Sequence, residues 1–281
     1  MKKFVFSFIA VVIAAQAASA AERVFVAGGT GRSGSEIVKL LQAKGFDVTA
    51  STRDVNKAKQ TYGTQTKWVE ADMHDVPAVM RAVAGSDFVV SALGHGDFIG
   101  VEAPQFAQYL AVRNLIDAAK AAKAKHIVVM TSSTAGHRFN HKLEARFGMV
   151  LYWMTKAEDY LLASGIPYTI IGPGGLATDE MIGLRGLEPP PADDWGVKIM
   201  PRADYKFDFV SRRGVASVVL AALRDPAARG KAVAVVWDRT KRNAEMTGKF
   251  STIPAEPMAT DTYLTPAPAV GRRPGPVQLK R

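Results

Sequence analysis

Cysteine is absent from this chain, so disulfide bonds and thiol-based sites are excluded. The absence fits a reducing and an oxidising compartment equally well. Long hydrophobic runs are also absent after residue 21, and no later segment is apolar enough to cross a bilayer. The formal net charge is +10, but no basic helical stripe with interleaved aromatic residues is found. This argues against nucleic acid as a partner and favours a small-molecule substrate.

The first 21 residues differ in composition from the rest. They contain two lysines, an apolar stretch from Phe4 to Ala15, and Ala18-Ser19-Ala20, which has the form of a signal peptidase site. We therefore predict a secretory signal peptide over residues 1–20 and a periplasmic or secreted mature protein without a membrane span. An uncleaved N-terminal membrane anchor is the alternative.

A glycine-rich turn follows the first apolar run after this segment, and a helical pattern follows the turn. Gly28 permits a tight exit from a strand, Gly31 lets the backbone approach a pyrophosphate, and Gly34 lets helix and strand pack closely. The phosphates would lie on the free N–H groups and the positive end of the helix. The turn therefore predicts a dinucleotide site, with contacts from Gly28, Thr30, Gly31, Arg32, Ser33 and Gly34.

The end of the second strand indicates which dinucleotide is bound. An NAD-binding fold places Asp or Glu there to bind the ribose 2′-hydroxyl, whereas this chain has Ser51, Thr52 and Arg53. Arg53, together with Arg32 from the turn, could hold a 2′-phosphate through its planar guanidinium. The alternative is that both arginines are only solvated surface residues. The pattern favours NADP over NAD.

Strand and helix patterns alternate along the chain. The predicted strands are Arg23–Ala27, Phe46–Ser51, Lys67–Glu70, Asp87–Ala92, His126–Met130, Tyr168–Ile171 and Ala232–Val236. The predicted helices are Ser33–Lys44, Pro77–Ala84, Pro104–Ala122, Glu144–Ala163 and Arg213–Leu223. Continuous apolar strands are typical of a parallel sheet covered on both faces, and right-handed crossovers make it doubly wound. We expect a single α/β domain of the Rossmann type over residues 21–239.

Two segments lack clear periodicity. Thr240 to Arg281 is rich in proline, which predicts either a disordered tail or an extended segment that lies on the domain. Glu188–Tyr205 contains three consecutive prolines and a tryptophan. We expect this second segment to form a loop that covers the substrate.

The ligand groove of such a sheet lies beyond the carboxyl ends of its strands, so the residues after each strand are candidates. Asp72, after the third strand, could accept a hydrogen bond from the adenine amino group, with Met73 packed against the ring. Gly94, after the fourth strand, would let the backbone pass the nicotinamide ribose. His95 could contact substrate, although a loop histidine without a catalytic task is the favoured interpretation.

The helix after the fifth strand carries Tyr152 and Lys156, four residues apart and therefore on one helical face. A lysine cation near the phenol lowers the pKa of a tyrosine from about 10 toward working pH, as a general acid or base requires. A serine hydroxyl from the end of the fifth strand could donate a hydrogen bond to the substrate oxygen. The alternative is that both are ordinary helix surface residues.

One further group of side chains has the spacing of metal ligands. His137, His141 and Glu144 could share one helical face. The order of an HExxH-type site is absent, however, and we expect no metal.

Taken in order, these motifs resemble the short-chain dehydrogenases/reductases, in their atypical, NmrA-like NAD(P)H-binding branch. The resemblance runs from about Arg23 to Trp237 and depends on VAGGTGRSG, STRD, ADMHD, DFVVSALG, VVMTSS, YWMTKAEDYLLASGIPYTIIGPGGL and SRRGVASVVLAALRDP. It implies Ser133, or its neighbour Ser132, as the group that polarises a carbonyl. It also implies Tyr152 as acid/base and Lys156 as ribose ligand and modulator of the tyrosine.

The resemblance further implies that Pro173 to Leu176, with cofactor contacts from Pro173 and Gly174, lines the nicotinamide end. This branch often has Arg-Pro-Gly-Gly where the chain has Gly172-Pro173-Gly174-Gly175, so a buried arginine is missing. Many members of this branch have lost catalysis and only bind the nucleotide. Two functions therefore stay open: an NADP-dependent reductase or dehydrogenase acting on a carbonyl, alcohol or quinone-like substrate, and a non-catalytic NAD(P)-binding regulatory or scaffold protein.

Overall fold

The computed structural model describes residues 21–94, 103–136, 149–178, 182, 185 and 189–255. Within these ranges the strands are β1 (Arg23–Ala27), β2 (Asp47–Thr52), β3 (Lys67–Glu70), β4 (Phe88–Ser91), β5 (His126–Met130), β6 (Tyr168–Pro173), β7 (Gly175–Leu176), β8 (Trp195–Pro201), β9 (Phe209–Val210), β10 (Lys231–Arg242) and β11 (Met246–Thr247). The α-helices are α1 (Arg32–Ala43), α2 (Val55–Tyr62), α3 (Val76–Val83), α4 (Ala111–Ala121), α5 (Val150–Ser164) and α6 (Arg212–Arg224). A π-helical segment, Gln105–Leu110, precedes α4, and short 3-10 helices span Arg202–Asp204, Pro226–Ala228 and Phe250–Thr252.

Among the described residues, nine strands form one sheet in the order β11-β8-β10-β6-β5-β4-β1-β2-β3. The neighbouring pairs from β10 to β3 are parallel, whereas β10 and β8 are antiparallel. From β3 to β6 this is the 3-2-1-4-5-6 order of a doubly wound dinucleotide-binding fold, which confirms the predicted fold class. Strands β7 and β9 form a separate two-stranded sheet.

Strand β1 shows how both faces of the large sheet are covered. Val24 and Val26 lie in a core that also contains Ile37 of α1. Phe25 lies in a second core, which contains Leu115 of α4. All five side chains are buried. Because alternate residues of a strand face opposite sides, a strand buried on both sides appears in the sequence as a continuous apolar run.

The ordered domain extends past the boundary predicted at residue 239. Strand β10 continues to Arg242, and β11 pairs with β8. Beyond them the Phe250 side chain is fully buried and Ile253 nearly so. These apolar residues are isolated among polar ones, so they leave no periodic pattern in the sequence. Of the predicted tail, residues 240–255 therefore lie on the domain, and residues 256–281 lie outside the described part.

The prediction of a loop over Glu188–Tyr205 is wrong for much of that segment. It contains β8, which pairs with β10 in antiparallel register, and the 3-10 helix that follows β8. The ring of Trp195 packs edge-on against that of Trp237, with centroids 4.8 Å apart. Residues 189–194 precede β8 without a strand or helix. The segment thus adds a strand to the sheet, whereas the prediction was a loop that covers the substrate.

The helices differ most from prediction in two places. Helix α2 has no predicted counterpart because only Ala58 is buried, so the segment lacks an apolar stripe. It begins where the Asp54 side chain accepts a hydrogen bond from the Lys57 backbone N–H, at 2.9 Å. The predicted helix Glu144–Ala163 is described from Val150 onward, as α5.

Several predicted features lie outside the described residues. They are the signal peptide over residues 1–20, His95, and the candidate metal ligands His137, His141 and Glu144. Within the described ranges, no helix is long and apolar enough to cross a membrane. The same ranges contain no group of three His, Cys, Asp or Glu side chains arranged to hold a metal ion.

Candidate functional site

A cleft of about 270 Å³ opens at the carboxyl ends of β1 to β4. It lies beside β1 and β4, where the strand order reverses, which is where doubly wound sheets bind ligands. The predicted cofactor residues that line it are Gly28, Thr30, Gly31, Arg53, Asp72, Met73 and Gly94. Ser51, Thr52 and His74 also line the cleft, although none of them was predicted as a site residue.

The glycine turn fits a dinucleotide phosphate. Gly28 has φ +78°, and a Cβ there would lie 2.9 Å from the carbonyl oxygen of Ala92. A Cβ at Gly34 would overlap the Gly28 carbonyl oxygen, so helix and strand approach as closely as predicted. Gly31 is the N-cap of α1 and offers no side-chain cap, and the first turn of α1 has no acidic residue. The helix start is therefore electropositive and free of a competing carboxylate.

Two polar side chains hold the turn from outside it. The Ser51 hydroxyl accepts a hydrogen bond from the Gly28 backbone N–H at 3.0 Å. The Tyr62 hydroxyl, at the end of α2, donates to the Thr30 carbonyl oxygen at 2.9 Å. These contacts join residues 23 and 32 positions apart, so no local motif signals them.

Of the two arginines predicted for the 2′-phosphate, one is among the residues that line the cleft. Arg53 lines the cleft at the end of β2. Arg32 is exposed and is not among the described lining residues. Its positive charge acts instead on Arg212, the first residue of α6, whose pKa is lowered first by burial and second by Arg32. Arg53 is therefore the arginine available at this end of the cleft.

At the predicted adenine end, Asp72 is held by a histidine. Asp72 Oδ1 accepts from the His74 backbone N–H at 3.0 Å and lies 2.8 Å from its ring Nδ1. The other ring nitrogen lies 3.1 Å from the Phe106 carbonyl oxygen in the π-helical segment. Met73 is buried in the core beneath, and its carbonyl accepts from the Asn114 amide at 3.0 Å. His74 thus ties the cleft wall to the π-helical segment that precedes α4.

Tyr152 and Lys156 share one face of α5, with the lysine Nζ 5.8 Å from the centre of the tyrosine ring. The Lys156 side chain is only 4% exposed and its Nζ lies 3.9 Å from Asp159 Oδ2. Burial, then the Asp159 charge and Tyr109, raise the pKa of Tyr152. Burial lowers the pKa of Lys156, and Asp159 opposes that effect. The predicted lowering of the Tyr152 pKa is therefore wrong, since burial is the largest cause of the shift and Asp159 and Tyr109 act in the same direction.

The serines after β5 differ in accessibility. Ser133 is 1% exposed and its backbone N–H donates to the Pro173 carbonyl oxygen at 3.0 Å. Ser132 is half-buried, with its Oγ 2.9 Å from Thr134 Oγ1. A Cβ at Gly172 would lie 2.7 Å from the Ser132 carbonyl oxygen. The backbone here leaves no room for a larger residue at position 172, such as the arginine that the resembled branch often has there.

A buried arginine reaches the same region from elsewhere in the chain. Arg202, in the 3-10 helix after β8, is 5% exposed and donates to both carboxylate oxygens of Glu158 on α5, each at 2.8 Å. It also donates to Thr131 Oγ1 at 3.1 Å and to the Ala135 carbonyl oxygen at 3.4 Å. Arg202 and Glu158 thus join α5 to the loop that carries Ser132 and Ser133. Neither was predicted, since 44 residues separate them.

The cleft and the α5 side chains form two parts of the candidate site. Ser133, Tyr152, Lys156, Pro173 and Gly174 are described residues, yet they are not among those that line the cleft. Ser33 and Gly34 are likewise not among the residues that line the cleft. The structure therefore brings the phosphate, ribose and adenine candidates together and leaves the α5 candidates outside that wall.

Comparison with known proteins agrees with this geometry. A family model for NAD(P)H-binding proteins matches residues 28–226. The chloroplast protein TIC 62 of Pisum sativum is 34% identical over 54% of this chain, which spans only 32% of that longer protein. The NAD(P)H azoreductase of Xenophilus azovorans is 26% identical over 84% of this chain and 75% of that protein.

The fold recurs among solved structures. The anaerobillin reductase ChuY from Escherichia coli O157:H7 superposes with a TM-score of 0.60 and 21% identity. The match covers 76% of this chain and 97% of that one. At this level of identity the likeness is one of fold.

Proposed function

The chain belongs to the NAD(P)H-binding family of Rossmann-type, oxidoreductase-like proteins, and from that premise we propose that it is an NADP(H)-dependent reductase of a carbonyl or quinone-like substrate. The observation that carries the proposal is the cleft in which the glycine turn, Arg53 and Asp72 meet. The names of an azoreductase relative and an anaerobillin reductase neighbour support reduction as the type of chemistry. When bound, a nicotinamide cofactor supplies or accepts a hydride.

The residues of the cleft support NADP rather than NAD. The uncapped start of α1 and its glycines would hold the pyrophosphate. Arg53 lies at the end of β2, where an NAD-binding fold has an acidic residue for the ribose hydroxyls. A guanidinium there attracts a 2′-phosphate and could bind it through two parallel hydrogen bonds.

The phenol of Tyr152 carries a proton that a reduction could use. A tyrosine of ordinary pKa is already protonated at neutral pH, and burial and Asp159 raise the pKa of Tyr152 further, so the phenol is available as a proton donor. Its proton would go to the substrate oxygen while the adjacent carbon is reduced by a hydride. Ser132 is the more accessible of the two serines that could hydrogen-bond that oxygen.

Replacement of Tyr152 tests the proposed proton transfer. In Tyr152→Phe, we expect NADPH oxidation with menadione to fall by about a hundredfold or more, as for loss of a general acid, while NADPH affinity stays within about twofold. Tyr160→Phe is the matched control on α5, since the Tyr160 hydroxyl donates to Asp117 instead. The control should keep most of the rate. Turnover in Tyr152→Phe equal to that of Tyr160→Phe would refute the assignment.

A non-catalytic nucleotide-binding protein is the second candidate, and one observation favours it. The Lys156 ammonium lies beside Asp159, and the pKa of Tyr152 is raised rather than lowered, which is opposite to the arrangement that the sequence predicted. This candidate expects NADPH binding without oxidation by any carbonyl or quinone in a broad screen. Turnover that depends on Tyr152 would exclude it.

We also propose that residues 1–20 direct export and are removed, so that the protein acts in the periplasm or outside the cell. An exported reductase would then need a source of NADPH in that compartment. Intact mass measurement of the protein from its native host, without denaturation, would show whether residues 1–20 are absent and whether a nucleotide is bound. A full-length mass with Met1 retained would refute cleavage.

A further inference from the structure

A second cavity, of about 420 Å³, lies against β9 and is lined, among the described residues, by Arg185, Phe207, Asp208 and Phe209. We propose that this cavity is a substrate subsite for a planar aromatic anion, such as an aromatic carboxylate or sulfonate. The inference rests on the proposed reductase function for its chemistry, but the binding of such an anion can be measured without turnover.

Two aromatic rings form the apolar wall of the cavity. Phe207 is 60% exposed, whereas Phe209 beside it is 3% exposed. Their ring centroids are 5.3 Å apart and their planes are nearly perpendicular, at 79°. Behind them the Trp237 ring lies 6.3 Å from Phe209. The inner ring is thus fixed by the core, while the outer ring offers an exposed face on which a planar ligand could stack.

The charge of the wall favours an anion. The Arg185 guanidinium lies 5.4 Å from the centre of the Phe207 ring and 5.7 Å from that of Phe209. The carboxylate of the wall, Asp208, is bound by both terminal nitrogens of Arg239, at 2.6 and 2.9 Å. Since Asp208 is neutralised by Arg239, the four lining residues present the positive charge of Arg185. A guanidinium that lies over an aromatic wall complements a ring that bears a carboxylate or sulfonate.

The cavity adjoins the segment expected at the nicotinamide end. Phe209 of β9 pairs with Gly175 of β7, and the Gly175 N–H donates to the Asp208 carbonyl oxygen at 2.9 Å. A Cβ at Gly175 would lie 2.7 Å from the Phe209 ring, and a Cβ at Gly174 would overlap the Asp208 carbonyl oxygen. The two glycines therefore allow the cavity wall to lie directly against residues 173–176. A ligand held by Phe207 and Arg185 would be next to the expected site of reduction.

The size of the cavity suits a small multi-ring compound. A volume of about 420 Å³ is within the range of typical small-molecule sites. Reduction of a quinone of this class to the hydroquinone takes one hydride from NADPH and one proton, and Tyr152 is the proposed source of the proton. No further oxidant or reductant is needed.

Two quinones that differ in charge test the subsite through kinetics. Full-length protein is assayed with NADPH and either naphthoquinone sulfonate or neutral menadione. In Arg185→Gln, we expect the KM for the sulfonate to rise about tenfold, as for a lost charge-assisted contact, and the KM for menadione to change less than about twofold. In Phe207→Ala, the KM should rise for both quinones. Arg81→Gln, an exposed arginine on α3, is the matched control and should leave both values unchanged.

A binding measurement separates this inference from the proposed function. Fluorescence titration with anilinonaphthalene sulfonate, in Tyr152→Phe protein without NADPH, should show saturable binding that Arg185→Gln weakens about tenfold and Phe207→Ala abolishes. If no quinone is reduced but this dependence holds, the reductase function is refuted and the subsite is supported. If Arg185→Gln matches Arg81→Gln in sulfonate KM and in sulfonate binding, the subsite is refuted whatever the turnover.

Discussion

At the scale of single residues, the glycine turn is defined by close contacts that a Cβ would break. A Cβ at Gly34 would overlap the Gly28 carbonyl oxygen, and one at Gly29 would lie 2.6 Å from the Ala50 Cβ. Gly94 lines the same cleft, and no atom of the described residues lies within 4 Å of a Cβ built there. The glycines in and beside the cleft therefore serve different purposes, since Gly34 is required for close packing and Gly94 is not.

This difference gives a paired prediction. Gly34→Ala should lower the free energy of unfolding by about 2 kcal/mol or more, because α1 and the turn must move apart, and should weaken NADPH binding. Gly94→Ala should leave the free energy of unfolding within about 0.5 kcal/mol of wild type. Urea denaturation of both variants checks the difference. Equal stability of the two would contradict the close approach at Gly34.

A buried histidine gives the fold a pH dependence. His126 in β5 is almost fully buried, with its Nε2 2.9 Å from the Thr169 hydroxyl oxygen. Burial, assisted by the positive charge of Arg229, lowers the pKa of His126 to about 4. The unfolded chain takes up this proton at about pH 6.5. Between about pH 6.5 and about pH 4 the unfolded state therefore binds more protons, so stability falls as the pH is lowered.

We expect the free energy of unfolding to drop by about 2 kcal/mol from pH 7 to pH 5 through this one residue. His126→Gln has no proton to take up, so its free energy of unfolding should fall less over the same range. Chemical denaturation at the two pH values measures the difference. The same pH slope in both proteins would exclude His126 as its source.

At the scale of elements, the Arg202–Glu158 ion pair joins parts of the molecule that are distant in sequence. Arg202 follows β8, Glu158 lies on α5, and the arginine also reaches Thr131 and Ala135 after β5. Both side chains of the pair are almost completely buried. A paired charge in this position fixes where α5 lies relative to the serine loop, and with it the spacing between Tyr152 and Ser132.

Removal of one partner from this pair should be costly. Glu158→Gln leaves the Arg202 charge buried without its counter-ion, and we expect the protein to lose about 3 kcal/mol or more of stability. Glu245→Gln is the matched control, because Glu245 forms a solvent-exposed ion pair with Lys241 at 3.1 Å. Glu245→Gln should lower the free energy of unfolding by no more than about 1 kcal/mol. Thermal unfolding of the two variants tests the ranking, and similar losses would show that the buried pair has no special role.

At the scale of the whole molecule, the parts that could be predicted from sequence are those with a local signal. Central strands show continuous apolar runs, and residues that follow them, such as Arg53 and Asp72, reach the cleft because the strand ends share one edge. Strand β8 and the segment around Phe250 could not be predicted in this way. Strand β8 is held by its pairing with β10, and Phe250 is held by burial in the core. Neither segment has a periodic sequence pattern of its own.

The candidate site likewise contains features that could be predicted from the sequence and features that could not. The glycine turn was predictable because its chemistry is contained in seven consecutive residues. The contact of Ser51 with Gly28, the contact of Tyr62 with Thr30, and the Arg202–Glu158 pair arise from long-range packing. The pKa of Tyr152 was predicted in the wrong direction because burial and Asp159, which set it, are properties of the folded chain.

The proposed function depends on NADP(H) binding in the cleft that Arg53 borders. The most direct measurement is a fluorescence titration of NADPH and NADH into wild type, Arg53→Ala and the exposed-arginine control Arg81→Ala. We predict that wild type and the control bind NADPH about tenfold or more tightly than NADH, and that Arg53→Ala loses this preference because the 2′-phosphate loses its guanidinium. Equal affinities for the two nucleotides in wild type, or binding of neither, would contradict the proposal that the cleft binds NADP(H).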